Sequence, residues 1–177
     1  MKFDIVEFYP SITKDLLYKT FLFAKSLVHI PDGYMIIIMH CRKSFLFDSN
    51  NIWTKQQDPD FDVTMGSFDG AEVCEFVGLY LLNLLKDVPE LNSTGLYSDD
   101  GLACFKKLSG PQAERMKKKI IKIFKDNGLR ITVENNLVRT DFLDVTLDLE
   151  KIITFHTKNP IEKYCTLTIY VILLLLF

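Results

Sequence analysis

Two short apolar runs, residues 94–97 and 102–105, flank the polar segment Ser98-Asp99-Asp100-Gly101. Apolar runs joined by so short a polar stretch predict a β-hairpin with the two acids at its tip. Side chains alternate between the faces of a strand. Asp99 is therefore expected on the face of Tyr97, with Asp100 turned elsewhere or set in the turn. Adjacent carboxylates repel each other, and a cluster of them calls for a cation. An oxygen-only site of this kind suits Mg²⁺. Ser, Asp and Gly are also ordinary turn formers, so a plain solvated turn is the competing reading of the same four residues.

The chain before the hairpin opens with a strand pattern over residues 2–6, broken by Pro10. Ser11 is placed to cap a helix beginning near Ile12, and Leu16, Leu17, Phe23, Ala24 and Leu27 continue it at a largely helical spacing. Pro31-Asp32-Gly33 is a turn. Residues 34–39 are a continuous apolar run that periodicity cannot assign to strand or helix. Residues 44–47 and 52–55 flank Asp48-Ser49-Asn50-Asn51 and predict a second hairpin, in which Trp53 is expected to pack rather than stack on a base. Residues 56–62 are polar and contain Pro59, a loop. Gly66, Ser67 and Gly70 then lead into a helical pattern over residues 71–85, with Val73, Cys74, Val77, Leu81, Leu84 and Leu85 on one face.

After the central hairpin, Ser109-Gly110-Pro111 predicts a helix start and Asn127-Gly128 its end. Met116, Ile120, Ile121, Ile123 and Phe124 form the apolar side of this helix. Lys117, Lys118, Lys119, Lys122 and Lys125 lie mostly on the other, either as a solvated face or as a phosphate contact. Residues 129–134 alternate as a strand, and residues 142–149 and 152–157 predict a hairpin about Glu150-Lys151. The order of strand, helix, hairpin, helix, hairpin, helix, strand and hairpin gives an α+β class. Its βαββαβ-like core matches a ferredoxin-like split βαβ antiparallel sheet with packed helices.

At 177 residues the chain has the length of one domain. Its net charge of −2 lacks the basic signature of a nucleic-acid-binding domain, which predicts weak binding by this piece alone. None of Cys41, Cys74, Cys104 and Cys165 sits in a Cys-X-X-Cys pair or at zinc-ligand spacing from a histidine. Reduced thiols and a cytoplasmic or nuclear location are expected, with Cys104 a small core residue of the hairpin. No secretory leader is evident after Met1-Lys2.

Four segments in order give a more specific likeness. Asp4 with an apolar neighbour and Phe8-Tyr9-Pro10-Ser11-Ile12 resembles motif A of reverse transcriptases, and Tyr97-Ser98-Asp99-Asp100 resembles their motif C, the Tyr-X-Asp-Asp box. Met65-Gly66-Ser67 before a long helix resembles the start of motif B, and residues 142–147 resemble the hairpin that grips the primer. The wording Gly66-Ser67-Phe68-Asp69-Gly70-Ala71-Glu72-Val73 is similar to that of a mobile-element branch of the family. The likeness covers residues 1–158, a polymerase palm.

The resemblance implies RNA-directed DNA polymerase activity on an RNA or DNA template with a primer, using deoxynucleoside triphosphates and two Mg²⁺ (or Mn²⁺) ions. It implies that Asp4 and Asp99 bind metal with Asp100 in support, and that the carbonyl of Ile5 completes a metal shell. Tyr9 would lie under the incoming sugar, and Gly66 and Ser67 would contact template or nucleotide. It also departs from the family. Phe68-Asp69-Gly70 stands where many relatives have a Pro-leading segment, and Asp69 and Glu72 add negative charge beside a phosphate backbone. The fingers and thumb are expected in a longer parent polyprotein. Two alternatives stand beside this reading: a non-catalytic domesticated module of the same fold that binds nucleic acid or protein, and a small membrane-tethered protein whose Asp-Asp is only a turn. Residues 159–177 form a hydrophobic tail, whose apolar run over 167–177 is shorter than the ~20 residues of a membrane span. The tail is expected to be out-of-frame sequence, with a tail anchor as the alternative, and no stable membrane partner is expected.

Overall fold

A computed structural model describes residues 1–148 apart from 44, 55, 57–59, 90, 106–107, 136 and 144. Strand β1 (Lys2–Ile5) leads through the single turn α1 (Phe8–Ser11) into α2 (Lys14–Leu27) and α3 (Asp32–Cys41). A small hairpin, β2 (Leu46–Asp48) and β3 (Asn51–Trp53), precedes α4 (Gly70–Leu85). The central hairpin is β4 (Leu91–Tyr97) and β5 (Asp100–Phe105), followed by α5 (Gly110–Asp126) and β6 (Ile131–Glu134). A last hairpin, β7 (Arg139–Phe142) and β8 (Val145–Asp148), closes the described chain. The fold is α+β.

The main sheet has the order β4-β5-β1-β6, and each neighbouring pair is antiparallel. Strand alternation divides it into two faces. Phe3, Ile5, Thr94, Leu96, Gly101 and Ala103 point to one side and are buried. Against them lie Val73, Cys74, Val77, Leu81 and Leu85 of α4 and Met116, Ile120 and Phe124 of α5. The rings of Phe3 and Phe124 meet at 5.4 Å. Leu16, Leu17 and Phe21 bring α2 against α4. All the helical cover sits on this one face, and Lys2, Asp4, Tyr97, Asp100 and Thr132 occupy the other, half-buried or exposed.

Local chemistry sets the helix ends. Thr13 Oγ1 accepts the Leu16 N–H at 3.2 Å, so Thr13 caps α2 in place of Ser11. Ser11 instead donates its hydroxyl to the Val6 carbonyl at 3.3 Å, inside the turn that Pro10 makes. At α5 the Gln112 side chain accepts the Ser109 N–H at 2.9 Å, and Gly128, at φ 77°, takes the chain out of the helix.

Of the two readings open for residues 34–39 the helix is the one that forms, and no residue of α3 is fully buried: Tyr34, Ile36 and Ile37 are exposed while Met35, Ile38 and Met39 lean on the core. Several expectations are corrected. The β2–β3 hairpin forms as expected, yet Trp53 is half exposed rather than packed, because both strands face solvent throughout. Cys104 is exposed: Ala103 takes the core side and strand alternation turns its neighbour out. Residues 142–149 are not one strand. The chain turns after Phe142, with Leu143 at φ 54°, and Phe142 pairs with Val145. The turn therefore falls within the segment likened to a primer grip. Glu150-Lys151 and the strand expected at 152–157 lie outside the described residues, as do Cys165 and the apolar tail. Among the described residues no helix is long and apolar enough to cross a membrane.

Candidate active site

Strand β1 is central, so its outward side chains have neighbours on both sides. Register places Asp4 directly opposite Asp100 on β5 and Thr132 on β6, and Asp100 opposite Tyr97 on β4. These four side chains form one row across the open face. Residues expected to meet at the hairpin tip thus do meet the Asp4 strand, but with their faces exchanged. Asp100, not Asp99, shares the face of Tyr97, because the two-residue loop is Ser98-Asp99 and Asp100 already belongs to β5.

Three features hold this tip. The Ile5 N–H donates to the Asp99 carbonyl at 2.9 Å, tying the loop to β1. Ser98 bends the chain at φ 51°, a conformation that a residue with a side chain adopts at a cost. Gly101 follows on the core side opposite Phe3, and a Cβ there would overlap the Phe3 ring. Only glycine lets a fully buried phenylalanine stand under the acid tip.

The row is negatively charged. The Asp4 carboxyl is pushed above the usual carboxylate range by partial desolvation first, then by the charges of Asp99 and Asp100. Lys2, two residues before Asp4 on the same face, opposes the shift. Its Nζ lies 3.8 Å from Asp100 Oδ1 and donates to the Asp141 carbonyl at 3.2 Å. That hydrogen bond links the β7–β8 hairpin to β1. Carboxylate oxygens under mutual repulsion fit a hard divalent cation by donor type and by charge. Among the described residues, however, no three acidic, histidine or cysteine side chains converge as a ready-made cage.

Tyr9 connects this row to the loop before α4. Burial first, then the Cys74 thiol and the charge of Asp99, push the Tyr9 hydroxyl above its ordinary value. Burial, with Tyr9 acting against it, pushes the Cys74 thiol up to about 12. A Cβ built on Gly70 would stand 2.6 Å from Ser67 Oγ, 2.7 Å from the Thr64 carbonyl and 3.5 Å from Tyr9 Cε1. The loop therefore folds back on the start of α4 only because residue 70 has no side chain, and the tyrosine ring lies at ordinary contact distance beside it. Gly66 turns the loop at φ 84° and is exposed, while Ser67 Oγ is buried without a hydrogen-bond partner.

Arg42, buried at the end of α3, grips both carboxylate oxygens of Asp69 with one terminal nitrogen. The negative charge noted at Asp69 is thus neutralised from within the fold. All the expected site residues, Asp4, Ile5, Tyr9, Gly66, Ser67, Tyr97, Ser98, Asp99 and Asp100, fall in two adjoining patches bridged by Tyr9. Lys2, Arg42, Gly70, Cys74 and Gly101 join them, although sequence reasoning gave none of the five a role in the site. The period-two pattern could have placed Lys2 beside Asp4. Arg42 carries no local signal, because only the tertiary fold brings it to Asp69. No protein family, no curated protein and no solved structure matches this chain.

Proposed function

We propose that this chain is the palm of an RNA-directed DNA polymerase derived from a mobile element. The main support is the juxtaposition of Asp4 with the Asp99-Asp100 tip across β1 and β5. The strand order, with helices on one face and acids on the other, is the one expected of a ferredoxin-like split βαβ palm. Two Mg²⁺ or Mn²⁺ ions would supply charge stabilisation for in-line transfer to a primer 3′-hydroxyl. Asp4 and Asp99 would hold them with the Ile5 carbonyl, and Asp100, already beside Lys2, would support. Tyr9, backed by Gly70 and the Ser67 loop, forms the floor on which a deoxyribose would rest. The β7–β8 hairpin, linked to β1 by the Lys2 hydrogen bond, would hold the primer terminus.

The test is extension of a primer on an RNA template with deoxynucleotides by the intact parent enzyme, fingers and thumb included, because the palm alone is not expected to extend. Extension should require Mg²⁺ or Mn²⁺ and disappear in Asp99→Asn; undiminished extension by that variant refutes the assignment. The alternative is a binding module of the same fold without catalysis. Its signature is template binding that neither metal nor Asp4→Ala alters.

A further inference from the structure

We infer that the outer face of α5 is a second, sequence-independent contact for the phosphate backbone of a nucleic acid, on the side of the sheet away from the carboxylates. The chain as a whole carries a net charge of −2, yet Arg115, Lys118, Lys122 and Lys125 are all exposed on this one helix. Their spacing of three, four and three residues makes a single stripe, because such steps keep to one side of an α-helix. At about 1.5 Å per residue the stripe is about 15 Å long. That length passes about four phosphates of one duplex strand at about 3.4 Å each. Lys119 flanks the stripe, with Glu114 and Asp126 at its two ends. No ion pair among the described residues engages any of these five cations.

The other side of α5 narrows the partner. Met116, Ile120 and Phe124 are almost wholly buried, and Phe124 is locked against Phe3. The helix therefore has no apolar face to lower into a lipid surface, which is what amphipathic membrane helices use. Its exposed cations are mostly lysines, point charges that suit phosphate oxygens. No exposed aromatic residue lies on the helix to stack on a base. The contact should therefore hold the backbone and ignore sequence. This inference does not rest on the polymerase reading, since α5 contributes no side chain to the Asp4 row.

The experiment is fluorescence anisotropy of a labelled mixed-sequence DNA duplex against the purified chain, from about 50 to 200 mM salt, with Lys118→Gln/Lys122→Gln/Lys125→Gln as the variant. The parent should bind with strong salt dependence. The variant should bind at least about tenfold more weakly at low salt, with a log–log salt slope shallower by about 2.7, some 0.9 for each phosphate no longer neutralised. The corresponding triple Lys→Arg variant, which keeps the charges, should bind like the parent and guards against loss through misfolding. Equal binding by parent and Gln variant overturns the inference, as does no binding at low salt. Equal sensitivity of the Arg and Gln variants also overturns it. Charge-dependent binding to anionic vesicles without binding to the duplex would transfer the face to lipid and overturn it too. Asp4→Asn should leave the α5-dependent difference intact, so failure of the catalytic reading and failure of this one are separately visible.

Discussion

Asp4 on β1 stands directly opposite Asp100 on β5, with no residue between the two acids. Like charges placed opposite each other on neighbouring strands weaken a sheet. The fold accepts this at the one place where β1 passes the hairpin tip.

Removing the charge of Asp4 should therefore stabilise the chain. The Asp4 pKa is raised on folding, so the folded state holds this proton more tightly than the unfolded one. The native repulsion is absent below the unfolded value of 3.8 and fully present above the higher folded value. Asp4→Asn should raise Tm by about 1–2 °C near pH 7, a small effect because the carboxyl is largely solvated. The gain should vanish near pH 3. Calorimetry at both pH values checks this, and a gain independent of pH would contradict it.

Gly101→Ala should destabilise the fold by about 1–3 kcal/mol, the usual cost of overpacking. The added methyl meets the Phe3 ring, which is buried under α5 and has nowhere to turn. Trimming the ring with Phe3→Leu should recover part of the loss in the double variant. Urea denaturation of the four proteins of the cycle measures the coupling; simple additivity would mean that the two positions do not interact.

Arg42 and Asp69 should respond unequally. Asp69→Ala leaves a buried guanidinium without its counter-charge and should cost about 3 kcal/mol. Arg42→Met keeps most of the volume and leaves Asp69, about a third exposed, able to recover water. It should cost less, about 1–2 kcal/mol. Chemical denaturation ranks them, and the reverse order would show that packing outweighs charge here.

Cys74 should resist alkylation while Cys41 and Cys104 react. Cys41 and Cys104 are exposed, whereas Cys74 is buried and pushed up to about 12. Near pH 8 only about one Cys74 in ten thousand is thiolate, the nucleophilic form. Mass spectrometry after iodoacetamide treatment should find Cys74 unmodified until the chain is unfolded. Tyr9→Phe removes a group that favours the thiolate and should not accelerate labelling.

What the sequence disclosed follows from how far each signal reaches. The strand, the helices near 14–27, 71–85 and 110–126, and the central hairpin all bury one face, so their apolar spacing was legible. The meeting of Asp4 with the Asp-Asp tip was anticipated from motif order and appears in the register. The exchange of faces between Asp99 and Asp100 was not, because alternation fixes faces only once the turn residues are known, and the loop takes in Asp99. Residues 34–39 stayed open between strand and helix because a continuous apolar run has no period, and as α3 they bury no residue fully. Arg42–Asp69 and Gly70–Tyr9 depend on the meeting of distant segments, and no window of sequence contains both partners.

The Ile5 N–H that donates to the Asp99 carbonyl has one more consequence. That amide cannot exchange with solvent deuterium unless the tip leaves β1 or the sheet opens. A single backbone proton thus serves as a built-in gauge of whether the two halves of the acid row are together. It would register separation of the row even in a variant whose carboxylates have all been replaced.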